Sequence, residues 1–239
     1  MAYYYKGAGK VYIGPYDGTS GMRYLSNVSE LQITFNTKDE SLQDYDSIAG
    51  GTVMKISTIE KAEISITLND FSPENLALAL WGGTSAVNAG NAIDTITVKH
   101  GCFNELIHIN PSTVSFTGSG STYIAGTDYV VSGGGIYFPS TSTVPEGSLP
   151  VSYNYPSQTV MECLTGGAIE WRVILDGINI ANSNKPVKVK LFKVKFNPAK
   201  DLNFKGEKFG ELKLQGDLLK DDSITGVGKS QYFQEVVQL

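Results

Sequence analysis

The sequence has little charge and almost no cysteine or histidine. Charged residues make up 18% of the 239 residues, with 19 basic and 24 acidic side chains and a net charge of −5. A nucleic-acid binder needs a basic surface to displace counterions from phosphate, so we expect this acidic chain to repel DNA rather than bind it. The two cysteines, Cys102 and Cys163, fit no spaced motif, which favours free thiols in a reducing compartment.

A long apolar run is also absent. No stretch of the sequence approaches the ~20 apolar residues that span a bilayer, so we expect no membrane insertion. The N-terminus, MAYYYKGAGK, has no apolar core of a signal peptide. We therefore expect a protein that is made in a cytoplasm and leaves it, if at all, by a route such as lysis.

Candidate chemistry is sparse. His100, Cys102 and His108 are too few and too irregularly spaced for a zinc site, and two histidines make a poor case for a catalytic base. Gly118-Ser119-Gly120 and Gly133-Gly134-Gly135 lack the lysine of a phosphate-binding loop and are predicted turns. The sequence predicts no enzyme, no catalytic residue, no metal and no cofactor.

What is abundant favours strands and turns. Hydrophobic residues make up 41% of the chain, and there are 26 glycines and 13 tyrosines. Leu31, Ile33 and Phe35 alternate with polar residues, which is typical of a half-buried strand. A second strand runs from about Met54 to Leu68, and ~15 residues at ~3.3 Å each could reach ~50 Å. The two strands predict an unusually long β-hairpin.

A polar stretch from Thr37 to Gly51 separates these two strands and is predicted to be a mobile loop. It carries four acids without the spacing of a calcium-binding loop: Asp39, Glu40, Asp44 and Asp46. A solvated loop is one interpretation. A loop that becomes ordered against a neighbouring molecule is the one we favour.

One α-helix is predicted, over Pro73–Trp81. Ser72 is its expected N-cap, Pro73 its first residue, and Gly82-Gly83 its C-terminal stop. Residues 84–158 are rich in glycine, serine and threonine and are predicted to be a small inserted β domain. The fold class is therefore mainly β, a β-sandwich or split barrel with one flanking helix, a long hairpin and an insert, divided into residues 1–83, 84–158 and 159–239.

A lysine-rich strand is predicted from Val187 to Phe196. Its alternation changes parity at Leu191-Phe192, which predicts a β-bulge. The side of the fold on which its lysines lie stays open: Lys188, Lys190, Lys193 and Lys195.

Four segments together resemble the major tail tube proteins of bacteriophages. They are Gly9-Lys10-Val11-Tyr12-Ile13-Gly14, Leu68-Asn69-Asp70-Phe71-Ser72-Pro73-Glu74-Asn75-Leu76, Ala79-Leu80-Trp81-Gly82 and Gly210-Glu211-Leu212-Lys213-Leu214-Gln215-Gly216. The insert, from Asp128-Tyr129-Val130-Val131 through Tyr153-Asn154-Tyr155, is similar to the extra exterior domain of some such subunits.

The resemblance implies a structural subunit of the virion. Such subunits form hexameric rings that stack into a tube, attach to tape measure, tail terminator and baseplate or tail-tip proteins, and let DNA pass without binding it. Ring formation would pair the exposed strand edges. The acidic loop would then contact the next ring.

In such a ring the polar side of the hairpin would line the channel. Alternation assigns these residues to it: Glu30, Gln32, Thr34, Asn36, Glu63, Ser65, Thr67 and Asn69. Glu30 and Glu63 would form two acidic girdles around the DNA, with no lysine or arginine among the lining side chains. The alternative is a carbohydrate-binding β-sandwich of a tail fibre or surface protein, in which exposed tyrosines would stack on a glycan.

Overall fold

The chain is mainly β, as its alternating sequence predicts. A computed structural model describes residues 4–116 and 122–238. The predicted turn at Gly118-Ser119-Gly120 lies outside the described residues. Two compact units are present: unit 1 comprises residues 1–83 and 161–239, and unit 2 comprises residues 84–160. The sequence-based insert ended two residues earlier, at residue 158.

The regular elements follow in chain order. They are β1 (Gly7–Pro15), β2 (Arg23–Leu25), β3 (Val28–Gln43), β4 (Thr52–Leu68), α1 (Pro73–Ala79), β5 (Gly83–Val87), β6 (Gly90–Val98), β7 (Cys102–Glu105), β8 (Ser112–Phe116), β9 (Val130–Ser132), β10 (Gly135–Phe138), β11 (Gly147–Tyr155), β12 (Gln158–Glu162), β13 (Glu170–Asn179), a 3₁₀ turn (Ile180–Asn182), β14 (Lys185–Phe196), β15 (Leu212–Leu218) and β16 (Phe233–Val237).

Unit 1 is built on one eight-stranded sheet. Its strand order is β2-β1-β13-β14-β15-β4-β3, and β16 pairs with β14 beside this path. Buried residues from distant strands of the order, such as Ile13 of β1 and Ile66 of β4, belong to a single hydrophobic cluster. The sheet therefore curls around one core and leaves β3 as a long edge strand.

The hairpin of β3 and β4 is longer, and its loop shorter, than predicted. β3 has 16 residues and β4 has 17, and only residues 44–51 connect them. Asp39 and Glu40 thus lie in β3, not in a loop, which corrects the prediction for both. Asp39 is held there by Lys55 of β4 at 2.7 Å and by the hydroxyl of Ser57 at 2.5 Å.

A β-bulge divides this hairpin into two halves. Asn36 faces Lys61, whereas the next residue, Thr37, faces Ile59, so Glu60 is an extra residue in β4. Directly opposed residues of an antiparallel pair share a face, and one inserted residue moves all later side chains to the other face. The inner half of the hairpin packs on the core. Beyond the bulge, each side chain of β4 lies on the face opposite to the one that the alternation of the inner half would give it.

The α-helix begins at Pro73 as predicted but ends at Ala79, two residues early. The Ser72 side chain makes no capping bond; the carboxylate of Asp70 instead accepts from the Ser72 amide at 3.1 Å. Trp81, not a glycine, has the left-handed φ of 49°. Its indole N–H donates to the Phe196 carbonyl at 3.1 Å, so a tertiary hydrogen bond supports this unusual backbone.

Unit 2 has its own core. Its sheets are β6-β11-β8 and β7-β10-β9, and β5 pairs with β12 in a two-stranded sheet. Buried side chains from both three-stranded sheets form one cluster, among them Ile96, Ile136, Phe138 and Tyr153. Two sheets that share a core make a small sandwich. No helix among the described residues has the length and apolarity that crossing a membrane requires.

Candidate functional site

One polar surface of unit 1 extends over three neighbouring strands, and we call it the polar face. Glu30, Gln32 and Thr34 of β3 lie directly opposite Thr67, Ser65 and Glu63 of β4, respectively. On its other side, β4 pairs with β15. There Thr67, Ser65 and Glu63 lie opposite Lys213, Gln215 and Asp217, respectively. The predicted polar residues of the two hairpin strands therefore do share one face, and β15 extends it.

Three residues of this hairpin differ in exposure or position from what alternation indicates. Thr67 is only 6% exposed, because it lies between Glu30 and Lys213, whose longer side chains flank it. Asn69 follows the end of β4, where its amide donates to the Asn27 carbonyl at 3.4 Å. Phe35, whose alternation with polar residues places it on the apolar face of β3, is 44% exposed and stacks on Phe233.

Lysines balance the acids of the polar face, contrary to the prediction of two acidic girdles. Lys61 lies opposite Asn36, and its Nζ is 2.6 Å from Glu63 and 3.1 Å from Asp217. The hydrogen bond from Lys61 lowers the pKa of Glu63, and hydrogen bonds to Glu63 and Asp217 raise the pKa of Lys61. Lys200 and Lys213 line the same groove of about 420 Å³. The face is polar and of mixed charge.

Part of the mixed charge of the polar face could be predicted from the sequence. Lys61 has the same parity as Glu63, and Lys213 alternates with the apolar Leu212 and Leu214. The neighbouring position of β15 and β4 could not be read, because strand order depends on long-range pairing that leaves no local pattern. Asp217, the second partner of Lys61, was missed for this reason.

The outer half of the hairpin carries an exposed apolar cluster, which we call the outer patch. Leu42 lies directly opposite Met54, and Ile56 is the next residue of β4 on that face. These side chains are 57%, 56% and 50% exposed, respectively. Because of the Glu60 bulge, the outer patch lies on the same side of the hairpin as the polar face.

The hairpin tip is acidic and internally ordered. One carboxylate oxygen of Asp44 accepts from the amides of Asp46 and Ser47 at 2.9 and 3.2 Å, and the Asp44 amide donates to the Gly51 carbonyl at 2.6 Å. Asp44 and Asp46 are the two of the four predicted loop acids that do lie in the loop. Tyr45 and Ile48 of this loop are highly exposed.

The lysines of β14 do not form one stripe. The register of β13 and β14 shifts between Trp171 and Val173, and Leu191 and Phe192 are both buried, which confirms the predicted bulge. Lys188 and Lys190 precede the bulge. Lys193 is bound to Glu170 at 3.0 Å, and that contact raises its pKa.

The two histidines that the sequence offered as metal or catalytic candidates contact neighbouring groups of the fold. His100 Nε2 lies 2.7 Å from the Val144 carbonyl, and His108 stacks on Tyr155 with ring centroids 3.7 Å apart. Within residues 4–116 and 122–238, no three His, Cys, Asp or Glu side chains are grouped as a metal site requires. Cys102 and Cys163 are free thiols.

Comparison with known proteins gives one finding at the level of family. Residues 4–236 match the model of a family described as protein of unknown function UCP028589. No curated protein matches the chain. Because the match covers almost the whole sequence, the chain belongs to the protein family UCP028589.

Proposed function

We propose that this protein is the structural subunit of a phage tail tube, a self-assembling ring former without enzymatic activity. The observation that carries the proposal is the outer half of the hairpin. Residues 37–60 are exposed on both sides and contribute nothing to the hydrophobic cluster of unit 1. A lone subunit gains no burial from ordering these residues, whereas an assembly does.

The outer patch supports a protein partner. Leu42, Met54 and Ile56 stand together on one face, and contiguous exposed apolar surface marks an interaction site more often than scattered apolar residues do. Edge strand β3 is 16 residues long, and the backbone groups of about every second residue are unpaired on its outer side. Pairing of that edge with the next copy in a closed ring would satisfy these groups and remove the aggregation hazard.

The polar face suits a channel wall in such a ring. Its lysines balance its acids, so duplex DNA, which carries a negative charge every ~1.7 Å of its axis, would be neither strongly attracted nor strongly repelled. Lys61 is already engaged with Glu63 and Asp217, so it is not free to grip phosphate. A lining of mixed charge repels DNA weakly and holds it weakly, which is the requirement for passage.

The proposal includes the assembly and its setting. The subunits would form hexamers that stack through the hairpin tips, and the stack would bind tape measure, terminator and baseplate or tail-tip proteins at its ends. The protein would be made in the host cytoplasm and act in the virion. These expectations rest on the resemblance to tail tube proteins together with the hairpin geometry.

The test is assembly of the purified protein, followed by size-exclusion chromatography with light scattering and by negative-stain microscopy. We expect rings or tubes from the wild type. Replacing Met54 and Ile56 together with aspartate should leave a folded monomer, because the outer patch contacts no core. Proline at Ile64, in contrast, would be a poor test, since Ile64 is buried in the core and the variant would misfold.

The matched control is Ile93→Asp, which changes an apolar side chain of unit 2 that is 65% exposed. This variant should assemble like the wild type. A wild-type protein that stays monomeric at high concentration, or a Met54/Ile56 variant that assembles normally, would contradict the proposal. A monomer that binds glycans on an array would favour the carbohydrate-binding alternative.

A further inference from the structure

A basic pocket lies on unit 1 beside strands β13, β14 and β16. It measures about 560 Å³ and is bounded by three cationic side chains and one carboxylate: Arg172, Lys190, Lys229 and Asp221. Phe192 and Phe233 supply its apolar wall. We call this site the basic pocket.

The cations of the basic pocket have no anionic partner. No carboxylate of residues 4–116 or 122–238 lies within ion-pair distance of Arg172, Lys190 or Lys229. The Nε of Arg172 is buried without a hydrogen-bond partner. A buried guanidinium donor without an acceptor is costly, so an anion that reached Arg172 would relieve that cost.

Asp221 neutralises only part of the pocket's charge. Its Oδ1 accepts from the Tyr16 hydroxyl at 2.8 Å, from the Ser223 hydroxyl at 2.6 Å and from the Ser223 amide at 3.1 Å. Burial alone would raise its pKa, but these hydrogen bonds outweigh burial and lower it. Three cations and one carboxylate give the pocket lining a net charge of +2, which two further negative charges would balance.

The hairpin tip carries two such charges. In the outer hairpin, Asp39 is paired with Lys55 and Glu40 with Lys38, at 2.7 and 3.8 Å. Asp44 and Asp46 have no cation within ion-pair distance among the described residues. The tip is therefore a compact dianion at the end of a projecting arm.

Within one subunit the tip is remote from the rest of unit 1. Seven strand residues, Thr37 to Gln43, lead from the bulge to the tip loop, a length of ~23 Å at ~3.3 Å per residue. The side-chain hydrogen bonds of residues 37–60 all stay within the hairpin. An arm that projects this far from its own sheet is suited to reach another molecule.

We propose that the basic pocket binds the hairpin tip of a second copy of this chain, with Arg172, Lys190 and Lys229 receiving Asp44 and Asp46. The proposal rests on the proposed function, because it assigns the surface on which the tips of stacked subunits dock. Charge complementarity sets the register of such a contact and raises its rate of formation.

Zero-length cross-linking of the unmodified protein tests the contact directly. A carbodiimide joins a carboxylate to a lysine amine only when the two groups touch. We expect amide links from Asp44 or Asp46 to Lys190 or Lys229 in digests analysed by mass spectrometry. Mixing ¹⁴N- and ¹⁵N-labelled protein identifies links between copies. The yield should fall with added salt, because all four groups are at least partly exposed to solvent.

Charge reversal supplies the second measurement. Asp46→Lys and Lys229→Glu, each alone, should lower the intermolecular cross-link yield and the assembled fraction by ~tenfold or more, because like charges would meet at the contact. The double variant carries the reversed pair and should recover assembly. Asp201→Lys and Lys208→Glu, at exposed sites outside tip and pocket, are the controls and should change neither.

The two proposals fail in different ways. Wild-type tubes without the tip-to-pocket links, or reversed variants that assemble normally, would overturn this inference and leave the tail tube proposal standing. A wild type that neither assembles nor gives the links would overturn both. Links between copies in a protein that forms no tube would support the contact and contradict the tube.

Discussion

At the scale of single residues, a buried polar pair helps to hold unit 2 together. The Tyr153 hydroxyl donates to Asp94 Oδ2 at 2.6 Å, and the Ile107 amide donates to the same oxygen at 2.8 Å. Both side chains are buried. Burial and the hydrogen bond to Asp94 raise the pKa of Tyr153 to about 12.

Replacing Tyr153 with phenylalanine should destabilise unit 2 by ~1–3 kcal/mol, because the buried Asp94 carboxylate loses a donor. A tyrosine with a raised pKa contributes stability that is fully present below its unfolded pKa, ~10, and is lost as the pH rises toward 12. The wild type should therefore lose stability in this alkaline range more steeply than Tyr153→Phe. Urea denaturation at several pH values measures both effects.

Tyr137→Phe is the control, since Tyr137 is 40% exposed and tyrosine to phenylalanine is the same chemical change. Its stability should match the wild type within ~0.5 kcal/mol. Equal destabilisation by the two variants would show that the bond from Tyr153 to Asp94 contributes little.

Individual side chains differ in how well the sequence predicts them. Ala62, Ile64, Ile66 and Leu68 are buried as alternation indicates, because β4 covers the core there. Thr67 obeys the same alternation and is nevertheless buried, because its exposure depends on the long side chains of the two neighbouring strands. Alternation assigns a face but does not determine how far neighbours cover it.

At the scale of elements, the hairpin separates folding from assembly. Thr37 pairs with Ile59 at the base of the outer half. Replacing residues 38–58 with a two-residue Asn-Gly turn should keep this pairing, since that turn suits a two-residue hairpin. The free energy of unfolding should change by less than ~1 kcal/mol, because the removed residues pack on no core.

Thermal unfolding and light scattering measure the two consequences of this truncation. We expect a protein that folds like the wild type and stays monomeric. The control replaces only residues 45–50 of the tip loop with glycine and serine. It removes Asp46 but keeps both strands and the outer patch, so it should retain the contacts of the outer patch. A large fall in melting temperature for the truncated protein would show that the outer hairpin supports the core.

The sequence predicts the strands of this hairpin better than its loop. Apolar alternation identifies a strand only where one face is buried, and Thr37 to Gln43 has no buried face. That segment forms a strand through cross-strand pairs such as Asp39 with Lys55 and Ser57, which become visible only with the register. The helix stop was missed similarly, because Trp81 depends on the distant Phe196 carbonyl.

At the scale of the whole molecule, the chain leaves unit 1 and returns to it at neighbouring points. The Leu164 amide donates to the Leu80 carbonyl at 2.9 Å, and the Gly166 amide donates to the Trp81 carbonyl at 2.8 Å. Each unit has its own hydrophobic cluster. The composition change near residue 84 predicted the first boundary, whereas strand order within unit 1 left no such local signal.

Deleting residues 84–160 and joining the ends with about four glycine and serine residues should give a folded unit 1, because the linker has only a short gap to cross. We expect one cooperative unfolding transition and assembly like that of the full chain. Circular dichroism and negative-stain microscopy measure these outcomes. Insoluble or unfolded product, in several linker lengths, would show that unit 1 needs residues 84–160 to fold.

The outer hairpin has a consequence for how this protein can diverge. Its inner half is fixed by the core, but beyond the Glu60 bulge no buried residue constrains its length. Adding two residues to each strand would extend the arm by ~6.6 Å and preserve which side chains share a face. The arm's reach is thus an adjustable dimension: if the tip docks on another copy, small insertions there could reset the spacing between copies without any change to the fold.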